Sequence, residues 1–347
     1  MSAELLEDLR TTTRQALSAG VGDVVDELDL AGLLVESERG GLGLGDREMV
    51  LVGTELGRIP SPSAFLPTAV LAATLLAHAD TNAGAEALAS LVAGDTRCAV
   101  AITDADASWA PSTPPVVATS TADGWLLSGT VWGISTPSQP DTMLTLAAID
   151  DGAALFAVAA EHVEATPADQ LDPARGLVEV TLLQVPARLL AAHAAAAEGI
   201  AQAYRRGLLA VGAEQLGVAR TCLETSVEHA KSREQFGSPI GSFQAIKHRC
   251  AEVLRDVEFA DAVLDQAVES GASVDAELAF IVATRAALSA AESCIHIHGG
   301  IGFTWEHPAH WYLRRARVNA TLMGPAAVHR HAIAVSAGLT TAEGVWN

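Results

Sequence analysis

Lys231-Ser-Arg-Glu-Gln-Phe-Gly-Ser-Pro-Ile-Gly-Ser-Phe-Gln-Ala-Ile246 lies between two long amphipathic segments, and its reading decides the fold. Upstream, Leu209, Ala213, Leu216, Ala219, Leu223, Val227 and Ala230 recur at three- and four-residue steps, and downstream Phe243, Ile246, Cys250, Val253 and Val257 do the same. Both patterns predict helices with one buried face. Gly237, Pro239 and Gly241 break the periodicity and predict a short turn between them. The stretch is thus a helical hairpin that carries Arg233, Phe236 and Gln244. Residue chemistry alone leaves Arg233 as a solvated or paired surface arginine, the commoner case, or as a ligand contact.

Composition narrows the classes. At 347 residues the chain can bury a large core in two or three layers or domains. Half of it is hydrophobic and 4% aromatic, which suits an Ala/Leu/Val-rich helical protein. Lys+Arg 21 against Asp+Glu 42 gives a net charge of −21, which argues against nucleic acid and anionic membranes as partners. Cys98, Cys222, Cys250 and Cys294 lack metal or redox spacing and read as reduced thiols of a cytoplasmic protein. The start, Met-Ser-Ala-Glu-Leu-Leu-Glu-Asp, lacks the basic and apolar regions of a signal peptide, and charges or Gly/Pro interrupt each apolar run before membrane-spanning length.

The pattern R-x-x-F-G followed by Gln resembles the flavin-binding signature of the acyl-CoA dehydrogenase family. The resemblance implies that Arg233, Phe236 and Gln244 reach an FAD held mainly by a neighbouring subunit. An arginine fork suits pyrophosphate because it donates paired hydrogen bonds and keeps its charge. Ser293-Cys-Ile-His-Ile-His-Gly-Gly-Ile-Gly-Phe303 is similar to the family's Q-x-x-G-G-x-G turn, which approaches the adenosine side of a partner's FAD. That adds His296, in place of the glutamine, with Gly299 and Gly300, whose missing Cβ atoms permit close approach. His296, His298, His307 and His310 do not complete a metal-ligand spacing, so no metal is expected.

The implied fold is α+β, mostly α: an N-terminal helical domain over 1–96, a middle β-barrel or sandwich domain over 97–190, and a C-terminal four-helix bundle domain over 191–347. Leu30 to Gly45 reads as a helix end turning through glycines, with Asp46 as N-cap for an apolar face of Met49, Val50, Val52 and Leu56. Glu55-Leu-Gly-Arg58 resembles the family's E-E-L-G-R. Strands are expected at Trp125–Trp132, Met143–Ile149, Leu155–Ala159 and Val178–Leu182, with a hairpin at Asp151-Gly152.

Two family features are altered. Thr103-Asp-Ala-Asp-Ala-Ser-Trp-Ala-Pro111 replaces T-E-P-x-A-G-S-D, and Trp132-Gly-Ile-Ser135 replaces W-I-T-N. Ser135 or Thr136 could stand for the threonine only after a frame slip, so the chain's own flavin pocket reads as eroded. The catalytic base is also missing. Members present a glutamate in Y-E-G-T-x-x-I-x-R; here Leu322-Met-Gly-Pro-Ala-Ala-Val-His-Arg330 puts Met323 at that position. The other family location falls near Gly207, and Glu214 lies two turns further on. Arg205 and Arg206 are out of register with the family's CoA-contacting arginine and read as surface charge, with a CoA contact as the alternative.

This pattern resembles the base-less short subunits of bacterial α2β2 acyl-CoA dehydrogenases of steroid side-chain degradation. It implies no catalytic residue in this chain, FAD residues offered in trans, acyl-CoA bound at the partner's site, and electron-transfer flavoprotein as acceptor. The alternatives are a self-sufficient flavoenzyme using Glu214 or Asp104 as base, and a non-catalytic structural or regulatory paralogue.

Overall fold

A computed structural model of the chain describes residues 3–340 apart from 21, 107 and 110–112. Helices come first: α1 (Ala3–Ala19), α2 (Val24–Glu27), α3 (Asp46–Arg58), a π-helical segment Phe65–Ala72 that runs into α4 (Ala73–Ala77), and α5 (Asn82–Val92). Strands follow as β1 (Cys98–Ala101), β2 (Val116–Thr121), β3 (Gly124–Ser135), β4 (Thr142–Ile149), β5 (Gly152–Ala159), β6 (Glu164–Pro167) and β7 (Leu177–Ala192). The chain then returns to helix in α6 (His193–Ser232), passes a two-stranded ribbon β8 (Glu234–Gln235) and β9 (Ser238–Pro239), and continues as α7 (Gln244–Ser270), α8 (Ser273–His298), α9 (Ala309–Leu322) and α10 (Ala326–Ser336). It divides into two compact units: the described residues of Met1–Met49, Ser61–Gly207 and Leu322–Gly324, and those of Val50–Pro60, Leu208–Thr321 and Pro325–Asn347.

The first unit is built around a barrel. β4 pairs with β2, β2 with β3, β3 with β7, β7 with β5, and β5 with β4, so the pairing closes on itself and removes those edges. The expected β4–β5 hairpin is present, with Ile149 opposite Gly152. Alternation fills the interior: Val116, Leu127, Val131, Met143, Phe156, Val180 and Leu182 form one core. Before the barrel, the expected helix end over 30–45 is instead a pair of short 3-10 turns, Leu30–Gly32 and Ser37–Arg39.

In the second unit, Val253, Val257, Ala260, Leu264 and Ala267 of α7 are buried, as are Ala276, Phe280, Ala283, Ala287 and Ala290 of α8. The apolar face of α7 starts later than its periodicity suggests, because Phe243 is exposed and Ile246 only half-buried. Ser273–Phe303 is long and apolar enough by composition to cross a membrane although Asp275, Glu277, Arg285 and Glu292 interrupt it, and 56% of its most apolar window is buried inside the chain. Its alanines, small enough for close helix packing, outweigh its scattered charges.

Where α3 crosses α6, the two helices meet backbone to backbone. A Cβ on Gly57 would strike the Glu214 carbonyl, and one on Gly217 would strike the Thr54 carbonyl and stand 2.9 Å from the Gly57 Cα. Glycine is required at both positions because rigid backbone, which cannot step aside, fills the space. Gly57→Ala is expected to cost about 1–3 kcal/mol of stability and to lower the thermal midpoint; an unchanged midpoint would show that this crossing relaxes freely.

Candidate functional site

The final turn of α6 closes on Arg233, whose N–H donates to the His229 carbonyl at 2.9 Å, and the Ile240 N–H returns to the Arg233 carbonyl at 2.8 Å. Between them Phe236 (φ +55°) and Gly237 (φ +77°) are consecutive left-handed residues, the pattern of a two-residue hairpin turn whose twist matches its strands. Gly237 takes this conformation freely, whereas Phe236 does so at a cost of about 1–2 kcal/mol. Phe236 is nevertheless 93% exposed, touching Phe243 edge-on at 6.1 Å. Strain at an exposed aromatic suggests that its role lies in contact with something outside the chain. Arg233 and Gln244 are exposed as well, and among the described residues the Arg233 guanidinium has no ion pair or hydrogen bond.

The second stretch ends α8. Gly299 adopts φ +64°, and a Cβ built on Gly299 or Gly300 meets nothing within 4 Å. Gly302 differs, since its Cβ would stand 2.7 Å from the Ile295 carbonyl. Gly300 thus has neither a positive φ nor an internal neighbour to account for it; the room it leaves faces outward. His296 is exposed beside this turn. His298 is buried, stacks on His229 with ring centroids 4.3 Å apart and meets the tilted ring of His307 at 4.2 Å, which brings the end of α6 with Arg233 next to the glycine turn. Gln244 joins the group through the Phe236–Phe243 contact. The six sequence-derived residues therefore share one end of the unit. An exposed guanidinium with unspent donors, a carboxamide, an imidazole and an open glycine turn fit the pyrophosphate and adenosine part of an FAD. Exposed Ile301, Phe303, Trp305 and Trp311 surround the turn, with the Arg314 guanidinium 4.6 Å and 5.0 Å from the two indole centroids.

The interior tells the opposite story. Met323 is 1% exposed, and a Cβ on Gly207 would stand 3.0 Å from its Sδ and 3.1 Å from Leu71 Cδ2. The two positions from which a carboxylate would be presented therefore face each other, and a thioether fills the space between them. Arg205 and Arg206 are not surface charges: Arg205 is buried, both bind Asp46, and Arg206 also reaches Thr74 Oγ1 at 3.1 Å. Asp46 consequently does not act as the N-cap; Glu48 instead accepts the Gly45 N–H at 2.8 Å. Glu214 is buried and bound to Arg315 at 2.5 Å, so it is a structural counter-ion, not a free base. Asp104 Oδ1 accepts the N–H groups of Asp106 and Ser108, both at 2.9 Å. The Ser135 and Thr136 hydroxyls donate to the carbonyls of Arg175 (3.1 Å) and Gly176 (2.7 Å), and are engaged within their own turn. Trp109, in the altered loop, stacks on Tyr204 at 6.0 Å. Residues 107, 110 and 111 of that loop lie outside the described residues. Among the described residues no His, Cys, Asp and Glu group has metal-ligand geometry.

A family model described as "Acyl-CoA dehydrogenase, C-terminal domain" matches residues 199–338. The acyl-CoA dehydrogenase FadE34 of Mycobacterium tuberculosis is 34% identical over 296 residues, 83% of this chain but only 38% of that longer protein. The acyl-CoA dehydrogenase IpdE2 of the same organism is 33% identical over 298 residues, 86% of this chain and 80% of its own. Among solved structures, a chain of the Tcur3481-Tcur3483 steroid ACAD G363A variant superposes with a TM-score of 0.85 at 27% identity, covering 97% of this chain and 99% of that one. A chain of the ChsE4-ChsE5 complex from Mycobacterium tuberculosis gives 0.83 at 27% identity, covering 99% of both.

Two outcomes follow from the site's electrostatics. Glu214→Ala removes the carboxylate that Arg315 binds in the interior and is expected to cost about 3–5 kcal/mol of stability, read from denaturant unfolding. Burial, followed by the neighbouring His298, holds His229 and His307 below their ordinary pKa. The unfolded chain then binds protons that the folded chain refuses, so their stability contribution is complete above about pH 6.5 and is lost as the pH falls. Thermal midpoints should drop on acidification through this range, and the drop should shrink in a His229→Gln, His307→Gln variant.

Proposed function

The chain belongs to the acyl-CoA dehydrogenase family, whose members are FAD-dependent oxidoreductases acting on CH–CH groups, and we propose that it is the base-less subunit of a heteromeric member. In this reading Arg233, Phe236, Gln244, His296, Gly299 and Gly300 serve an FAD seated on a second, related chain. That chain supplies the catalytic glutamate and binds the acyl-CoA. The observation that carries the reading is the contrast between Met323 packed against Gly207 inside and the unspent Arg233 outside. A member working alone needs a carboxylate within reach of the α-carbon and tuned to take its proton.

When bound, FAD supplies an acceptor for the hydride that leaves the β-carbon. This chain's residues would act by binding and by excluding water. The Arg233 fork donates to pyrophosphate oxygens, the Gly299–Gly300 turn lets backbone approach, and Phe236 with Phe303 and Trp305 covers the edge of the site. The exposed aromatic surface around the turn supports packing against the partner, and an α2β2 assembly is the symmetric arrangement that gives each FAD one copy of this chain. The resemblance to a structure described as a steroid ACAD supports CoA esters derived from steroids as substrates, and the resemblance to a complex of two named chains supports a heteromer. Electron-transfer flavoprotein is the proposed acceptor, and the cytoplasm, where free thiols persist, the proposed compartment.

Flavin absorbance tests the reading. The chain purified alone should be colourless, and co-purified with a related chain encoded beside it should carry one FAD per heterodimer. Arg233→Ala should weaken FAD retention by more than about tenfold, since charge-assisted hydrogen bonds are lost. A yellow homomer that turns over acyl-CoA overturns the proposal.

A further inference from the structure

Arg233 offers one positive charge, whereas the pyrophosphate of an FAD is a diester that carries two negative charges near neutral pH. The ends of α6 and α8 widen the mismatch, because the last carbonyls of a helix present partial negative charge. A second cation is needed beside Arg233, and the neighbouring ones are engaged. Lys231 is paired with Glu228 at 2.8 Å, and the Arg314 guanidinium lies over Trp305 and Trp311. His229 remains. It stands four residues before Arg233, so the two side chains share one face at the end of α6. The Arg233 N–H closes that turn on the His229 carbonyl at 2.9 Å.

Hydrogen bonds fix what each of the three packed rings can do. His298 Nδ1 lies 2.7 Å from the Cys294 carbonyl oxygen, which can only accept, so this nitrogen carries a proton. The Ala309 N–H, at the start of α9, donates to His307 Nδ1 at 3.2 Å, and a proton on that nitrogen would break the bond. Among the described residues no hydrogen bond engages the half-buried His229 ring, whose one close contact is the His298 ring at 4.3 Å. Burial, then the charges of His298, Arg233 and His307, hold His229 below its ordinary pKa. These three neighbours are all bases. The other titratable groups around the rings are His310, whose charge bears on His307, Cys294, with Sγ 3.6 Å from His298 Nδ1, and the exposed Glu306. Among the described residues no carboxylate forms an ion pair with His229, so an anion is what this ring lacks. We propose that His229 is a second anion-binding group beside Arg233 and takes up a proton from solvent as the pyrophosphate of FAD binds. The proposal rests on the reading of this end of the unit as an FAD site. In the free chain a proton on His229 meets only other bases, whereas with FAD seated it meets phosphate oxygens. Proton and flavin therefore strengthen each other's binding by the same factor.

The test takes the chain co-purified with its related partner chain, strips the flavin and titrates FAD back by calorimetry at pH 6, 7 and 8, in buffers of different ionisation enthalpy. FAD itself does not titrate in this range, so any proton taken up belongs to the protein. Affinity is expected to tighten about three- to tenfold from pH 8 to pH 6, with net proton uptake at pH 7. His229→Gln should flatten the pH dependence and remove the uptake, Cys294→Ala should keep both, and Arg233→Ala should weaken binding at all three pH values. Unchanged affinity in Arg233→Ala overturns the FAD reading and this inference with it. Weakened binding in Arg233→Ala with a pH dependence that His229→Gln leaves intact, or that Cys294→Ala removes, overturns the inference alone. If His229→Gln fails to fold, the wild-type complex decides: uptake that Cys294→Ala preserves supports the proposal, and binding without uptake overturns it.

Discussion

A charge carried into a protein interior on a helix must find its opposite there, and α6 shows the consequences. This helix runs for 40 residues, and no residue from 207 to 219 is exposed. Arg205, Arg206 and Glu214 are nonetheless on it. Leaving any of them unpaired would cost several kcal/mol, a large share of the few that hold a domain together. Asp46 therefore serves two arginines and gives up helix capping, while Arg315 of α9 is committed to Glu214. Residues that look available for chemistry in the sequence are in this way already spent on the fold.

The same economy separates the interior from the rim of the glycine turn. Inside, Met323 and Gly207 replace reactive groups with a packed thioether, and the hydroxyls of Ser135 and Thr136 serve their own turn. At the outer end of α6 and α8 the pattern reverses: Phe236 keeps a strained conformation while exposed, Arg233 keeps an unspent guanidinium, and Gly300 leaves room that nothing in the chain fills. Features that cost stability and gain nothing internally point to an external ligand. Beneath them the rings of His229, His298 and His307 lie against one another and join the end of α6 to the end of α8.

Much of the architecture was legible in the sequence because it is local. The periodicity of α6 and α7, the alternation of β3, β4 and β7, and the turn at Gly237 each depend on neighbours a few residues apart. The glycine and arginine motifs were legible for the same reason, since one hairpin and one helix end set their geometry. Readings that assumed local partners failed. Asp46 looks like a cap until arginines 159 and 160 positions later claim it, and Glu214 looks like a spare carboxylate until Arg315, 101 positions on, arrives.

The sequence by itself determined the family resemblance, the order of helices, barrel and helices, and the absence of a carboxylate at position 323. These follow from residue identity and short-range pattern. Only the tertiary structure decided that Gly207 and Met323 meet, that Arg205 and Arg206 share Asp46, and that Glu214 meets Arg315. Those contacts join residues far apart in the chain, and burial, which no local pattern reports, sets their energies.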